Sequence, residues 1–337
     1  MTDGIYILAN DVVYDQLVAL LNSIEAYSKR SGGAYPVCIL PYDDKLERVR
    51  EEVEKRSNVE IFADTPVIEL WEKFAFDAWQ AHPNAFKVWS EQGTSGVYRM
   101  GMHRRFCAFD GPFDRFIYLD ADILVLNSLE YIFKQLDNND FVVYDFQYKD
   151  PAHVYDVSSK QLLNIFSQAR INSEIFCAGM YASKKGLFGA KKRDYLLSQL
   201  RQGDSEILYM NAPDQSVLNY MVMRSGVSTW NFARYLSENE VTGCCVTSPH
   251  FEEKDNLLYD KQSRLTYLHY IGLSSKLFTR VCAGENVGFP YRDIFLHYRY
   301  LNEPTRRPQF KTKPKVYNKP PSLATRVLRK LGIPMEV

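Results

Sequence analysis

The chain has 337 residues with 41 basic and 41 acidic side chains, so its formal net charge is zero. That balance excludes nucleic acid as the main partner, because binding a phosphodiester backbone leaves a basic excess; one phosphate-bearing small ligand is not excluded. A hydrophobic share of 46% with 24% charged residues is that of a globular protein long enough to bury its core without disulfides or structural metals.

The first half alternates short apolar runs with helical patterns. Residues 5–9 read as a buried strand and 12–28 as a helix with Leu17, Leu20, Leu21 and Ile24 on one face. A second strand falls at 36–40, a charged surface helix at 44–57, a third strand at 59–62 and a helix at 67–81. The polar stretch 82–97, with Gly93 and Gly96, reads as a loop, and 98–109 returns to helix. Residues 115–119 form a strand that runs into Asp120-Ala121-Asp122. This alternation predicts an α/β fold, an open, mostly parallel sheet with helices on both faces, whose ligands sit at the carboxyl ends of the strands. The second half is less regular: strands are expected at 175–181, 227–231 and 265–271, and helices at 184–201 and 214–224. The region 238–263 gives no clear pattern, and no internal repeat is present.

Between Glu303 and Glu336 the tail has nine basic residues and no acidic one, and Ser322 to Leu331 can form a short amphipathic helix. It reads either as a solubilising tail or as a peripheral contact with anionic lipid. The six cysteines show no Cys-x-x-Cys spacing, which argues against a zinc or thioredoxin-like site. No apolar run reaches the ~18 residues of a membrane span, and the first residues show no basic segment followed by an apolar stretch. The expected location is the cytoplasm, with the tail as the candidate contact at the inner face of the membrane. The 23 Tyr and 20 Phe serve either as core or as platforms for sugar C–H faces.

Chemistry concentrates at Tyr118-Leu119-Asp120-Ala121-Asp122-Ile123-Leu124-Val125, where two carboxylates interrupt an apolar run at a strand end. Buried carboxylates need a cationic partner, and hard oxygen ligands suit a divalent metal; the alternative is a turn with two exposed aspartates. Such a metal would bridge the phosphates of a nucleotide-sugar and act as a Lewis acid on the leaving group.

This segment resembles the Asp-x-Asp motif of nucleotide-sugar glycosyltransferases with the single-domain, Rossmann-like GT-A fold. The chain most resembles glycosyltransferase family 8, that of glycogenin and the bacterial lipopolysaccharide galactosyltransferases, over about residues 5 to 278. The resemblance implies that Leu8, Ala9, Asn10, Asp11 and Tyr14 hold the nucleobase, although Asn10 or Asp11 serves equally as a helix cap. It implies a basic contact to the donor diphosphate at Arg104, with Arg105 adjacent. In Phe176-Cys177-Ala178-Gly179, Cys177 replaces the family's Asn, and Gly179 permits close backbone approach. Asp214 and Gln215, in Asp-Gln-x-x-Leu-Asn, are implied at the donor sugar, and Ala121 at the donor beside the metal. In His269-x-x-Gly272-x-x-x-Lys276, His269 is implied as the third metal ligand, with Gly272 and Lys276 on the diphosphate. Trp230-Asn231-Phe232, Arg234 and Tyr235 fall where an acceptor would bind.

The resemblance thus implies a retaining, Mn2+- or Mg2+-dependent hexosyltransferase. It would move a sugar from a UDP-sugar to a hydroxyl of a glycan, glycolipid or small molecule. Asp120, Asp122 and His269 would hold the metal, and Asp214 and Gln215 would stand at the reacting sugar. Residues 1–302 would form the catalytic domain, with 1–126 its nucleotide-binding half and 127–302 its donor-sugar and acceptor half, followed by the basic tail 303–337. Two rivals remain: a sugar nucleotidyltransferase, which residues 5–15 disfavour by lacking a Gly-rich loop, and a non-catalytic nucleotide-sugar-binding protein.

Overall fold

A computed structural model describes residues 1–27, 29–30, 33–235 and 248–317. Along the chain the principal elements are β1 (Asp3–Ala9), α1 (Tyr14–Tyr27), β2 (Val37–Pro41), α2 (Glu47–Val53), β3 (Val59–Ile61), α3 (Thr65–Gln80) and α4 (Ala85–Glu91). Then come β4 (Arg115–Asp120), β5 (Ile123–Val125), β6 (Phe141–Val143), β7 (Met180–Lys184), α5 (Ala190–Arg201), α6 (Pro213–Arg224) and β8 (Thr229–Asn231). The last are β9 (Tyr267–His269), α7 (Ser275–Cys282) and α8 (Arg292–Arg299).

Seven strands form the central sheet in the order β8-β6-β7-β4-β1-β2-β3. All neighbours are parallel except that β7 runs antiparallel to both β4 and β6. Successive side chains of a strand point to opposite faces, so β1 divides its apolar residues between two layers. Ile5, Ile7 and Ala9 pack with Leu17, Leu20, Leu21 and Ile24 of α1. Tyr6 and Leu8 pack with Trp71, Phe74, Ala78 and Trp79 of α3. A third cluster joins Phe278 of α7 to Phe295 and Tyr298 of α8. This is the expected sheet with helices on both faces, widened by an antiparallel strand. No described helix is long and apolar enough to cross a membrane.

Three local expectations are corrected. The polar stretch 82–97 is not a continuous loop: Ala85 and Trp89, one helical turn apart, are buried, and the Trp89 ring stands 4.9 Å from that of Trp79, so tertiary packing creates α4. The helix expected over 98–109 is a 3-10 run, Met100–Phe109. The strand expected over 175–181 begins only at Met180, because the amides of Phe176, Cys177 and Ala178 are taken by side chains and the chain turns at Ala178 and Gly179. Residues 252–264 contain a small three-stranded antiparallel sheet. The expected tail helix and Cys244 and Cys245 lie outside the described residues.

Candidate functional site

β4 ends at Asp120, the chain turns through Ala121 and Asp122, and β5 starts at Ile123. Strand β9 pairs antiparallel with β5 and places His269 opposite Ile123, and the Tyr270 amide donates to the Asp122 carbonyl at 3.0 Å. This short ladder carries the imidazole to the acid pair. His269 Nε2 lies 3.0 Å from Asp122 Oδ1 and 4.0 Å from Asp120 Oδ2. One donor atom from each of the three residues lies within 4.8 Å of the other two. Two carboxylate oxygens and one imidazole nitrogen this close fit a divalent cation of the manganese or magnesium kind.

Gly179 makes the crowding tolerable. A Cβ at this position would lie 2.2 Å from His269 Cε1 and 3.2 Å from Asp120 Oδ2. Any side chain would therefore displace the imidazole, and the Gly179 carbonyl also accepts from the Asp120 amide at 2.8 Å.

The acids are electrostatically unlike. Burial raises the pKa of Asp120, Arg105 opposes it, and the nearby Asp122 adds to the rise. Burial also disfavours charge on Asp122, but the His269 imidazolium and its hydrogen bond hold that carboxyl below its usual range. His269 shows the converse: burial favours the neutral ring, yet the Asp122 carboxylate keeps its pKa well above normal. The two shifts support each other as an ion pair at the place a cation would occupy, and a cation bound there would displace the imidazole proton.

Behind the acids stands Arg105, whose side chain is 2% exposed. Its Nη2 lies 3.1 Å from Asp120 Oδ1 and 3.0 Å from Asp214 Oδ2, its Nη1 donates to the Ala178 carbonyl at 2.7 Å, and the Tyr118 hydroxyl donates to Asp120 at 2.8 Å. Arg105 thus couples the acid at the end of β4 to the first turn of α6. Gln215, next on α6, accepts from the Ala178 amide at 2.9 Å and donates to the His153 carbonyl at 2.8 Å. Asn219, one turn on, bonds the amide and the carbonyl of Phe176. The Cys177 amide donates to Asp145, which is buried. The segment 176–179 is thereby held beside the acids.

A cleft of about 440 Å³ opens beside Asp120, Ala121 and Asp122 and is also lined by Leu8, Ala9, Asn10, Tyr42, Asp43, Arg99 and Leu273. Of the residues named from the sequence for the nucleobase, Leu8, Ala9 and Asn10 line this cleft. Asn10 also caps the turn by accepting from the Val12 amide and donates to Asp43. Asp11 instead accepts from the amides of Arg48 and Val49 and so anchors α2. Tyr14 turns to Glu52, with the Arg48 guanidinium 3.8 Å over its ring. Arg104 is also directed elsewhere, bonding Glu72 at 2.7 Å and the Pro41 carbonyl at 3.0 Å. Gly272, at φ +78°, and Lys276 are exposed on the loop and helix after β9. Tyr42, Arg99 and Asp145 had no motif to mark them. Tyr42 follows β2 at the carboxyl edge of the sheet, and that placement is its one sequence cue.

A larger cavity, about 550 Å³, lies behind α1. Its charged walls are already paired, Arg56 and Lys55 with Glu52 and Arg299 with Asp15.

The architecture has known counterparts. Mouse xyloside xylosyltransferase 1, in its apo form, superposes with a TM-score of 0.56 at 11% identity, covering 81% of this chain and 99% of that one. The fold is the GT-A glycosyltransferase fold. The apo bifunctional glycosyltransferase WbbM matches this GT-A chain with a TM-score of 0.54 at 14% identity over 91% of its length, while covering 52% of WbbM. No family profile matches the chain, and no curated protein matches its sequence.

Proposed function

We propose that the protein is a retaining, divalent-metal-dependent glycosyltransferase that moves a hexose from a nucleoside diphosphate sugar, with uridine as the favoured base, to a hydroxyl of a glycan, glycolipid or small molecule. One observation carries this reading: in a GT-A fold, Asp120, Asp122 and His269 converge at the carboxyl end of β4, beside a cleft large enough for a nucleotide. A divalent cation bound there would serve as a Lewis acid for the departing diphosphate.

The chain's own residues orient the donor. Leu8, Ala9 and Asn10, which line the same cleft as the acids, would receive the nucleobase end. Asp214, held by Arg105, would receive the sugar hydroxyls. Gln215 is a neutral amide whose oxygen and nitrogen are both engaged by backbone, so its role is to hold the Ala178 segment rather than to attack carbon. With no free carboxylate assigned to attack, the acceptor hydroxyl would approach on the face the diphosphate leaves, which retains the anomeric configuration. Rate enhancement then comes from orientation and fixed charge. In this reading residues 1–126 serve the nucleotide, 127–302 serve the sugar and acceptor, and 303–337 are appended.

The test is hydrolysis and transfer with a panel of nucleotide-sugars and manganese, with the product anomer read by NMR. Wild-type turnover is expected to require metal, and Asp120→Ala should abolish it. Turnover in Asp120→Ala equal to wild type at saturating manganese would overturn the assignment.

A further inference from the structure

Among the described residues, the cleft beside Asp122 is lined by three carboxylates, Asp43, Asp120 and Asp122, and by one cationic side chain, Arg99. A divalent cation would bring that lining to neutrality, and Arg99 is part of the balance. Without it, the walls would face a diphosphate dianion with excess negative charge.

Arg99 is also unusual in its backbone. It adopts φ +54° and ψ +43°, the left-handed region that non-glycine residues rarely occupy. The turn is pinned on both sides. Val97 before it is buried, and the Tyr98 ring lies 6.3 Å from that of Trp89. After it, the Met102 amide donates to the Arg99 carbonyl at 2.9 Å, and Gly101 sits so close to Tyr42 that a Cβ would lie 2.1 Å from the Tyr42 carbonyl oxygen. The side chain so presented is exposed and makes no hydrogen bond or ion pair among the described residues. Arg104, by contrast, is committed to Glu72 and to the Pro41 carbonyl. An unfavourable backbone conformation, held by its neighbours and presenting an unpaired guanidinium to an acidic cleft, is a pattern associated with ligand binding.

We propose that Arg99 binds the diphosphate of the nucleotide donor, the place that sequence reasoning gives to Arg104. This inference rests on the nucleotide-sugar reading above. It assigns to Arg99 a charge-assisted contact to phosphate oxygen, with the nucleoside contributing nothing to it.

The substitution Arg99→Gly tests this without endangering the fold, because glycine occupies the left-handed region freely. The full-length chain would be titrated calorimetrically, in manganese, with a panel of nucleoside diphosphates and the matching nucleosides. The expected result is that Arg99→Gly binds the preferred diphosphate about 10- to 100-fold more weakly than wild type. The same variant should bind the nucleoside unchanged and melt no lower than wild type. Arg99→Lys, which keeps a charge, should recover part of the loss. If wild type binds no nucleoside diphosphate, the functional reading fails and this inference with it. If wild type binds and Arg99→Gly binds equally, Arg99 is a solvated surface arginine and only the inference is overturned. If Arg99→Gly loses diphosphate and nucleoside alike and melts lower, its role is structural and the inference is again overturned.

Discussion

Replacing Gly179 by alanine adds one methyl group at the point where the acid cluster is tightest. That methyl carbon would stand 2.2 Å from His269 Cε1 and 2.8 Å from His269 Nδ1. Ordinary carbon contacts lie at ~3.5–4.0 Å, so the ring or the strand must give by more than about 1 Å. His269 is 4% exposed, and its neighbours in β9, Tyr267 and Leu268, are fully packed. The ring therefore yields by leaving Asp122, from which it is 3.0 Å away. Disturbing a residue that positions a metal ligand typically costs about 10- to 100-fold in metal affinity, or about 1.4 to 2.7 kcal/mol, and overpacking costs a further ~1–3 kcal/mol of stability. The assay is calorimetric titration of manganese in the presence of a nucleoside diphosphate, run beside urea unfolding. Gly189→Ala is the control, because among the described residues nothing beyond its own chain neighbours lies within 4 Å of a Cβ there and the backbone needs no glycine. Manganese affinity and turnover preserved in Gly179→Ala would refute the argument that this glycine makes room for the imidazole.

Other perturbations separate charge from packing. Arg105→Ala leaves Asp120 and Asp214 without their shared buried partner, and urea unfolding should show a loss of about 3–5 kcal/mol; a loss under 1 kcal/mol would show that the carboxylates had found other compensation. His103 is fully buried, and burial drops its pKa to about 4; its Nε2 accepts from the Trp79 indole. Because the folded pKa lies below the unfolded one, the stability from His103 is complete above about pH 6.5 and is lost as pH falls towards 4, at about 1.4 kcal/mol per pH unit. Wild type should therefore lose more stability than His103→Gln between pH 6.5 and 4.5, and parallel pH profiles would contradict this. For the basic tail, liposomes of anionic lipid should retain the full chain more than a chain lacking residues 305–337, and equal retention would end the membrane reading.

The fold was legible where burial is two-sided. Ile5 to Ala9 and Phe116 to Leu119 are apolar without interruption because helices cover both faces. The acid pair was legible for the same reason, since it breaks such a run at a strand end. His269 was not readable from periodicity alone, because its meeting with Asp122 depends on pairing between β9 and β5, and distant register leaves no local trace. The direction of a side chain was equally hidden. Arg104 and Arg105 are neighbours in sequence, and only packing decides that one enters the acid cluster while the other turns to Glu72. Asp11 and Tyr14 show the same ambiguity, since a helix start offers its polar groups both to ligands and to the next helix. Helix α4 was missed because its stability resides in two tryptophans touching, not in its own composition.

The two-stranded ladder between β5 and β9 also sets an order of events during synthesis. A nascent chain that has completed β4 and β5 already owns both carboxylates but lacks the imidazole, which arrives only with the far end of the domain. Closing so long a loop is entropically slow, so this ladder should be among the later contacts to form. Tight binding of a cation would then report that the ends of this loop, β5 and β9, have met in their native register.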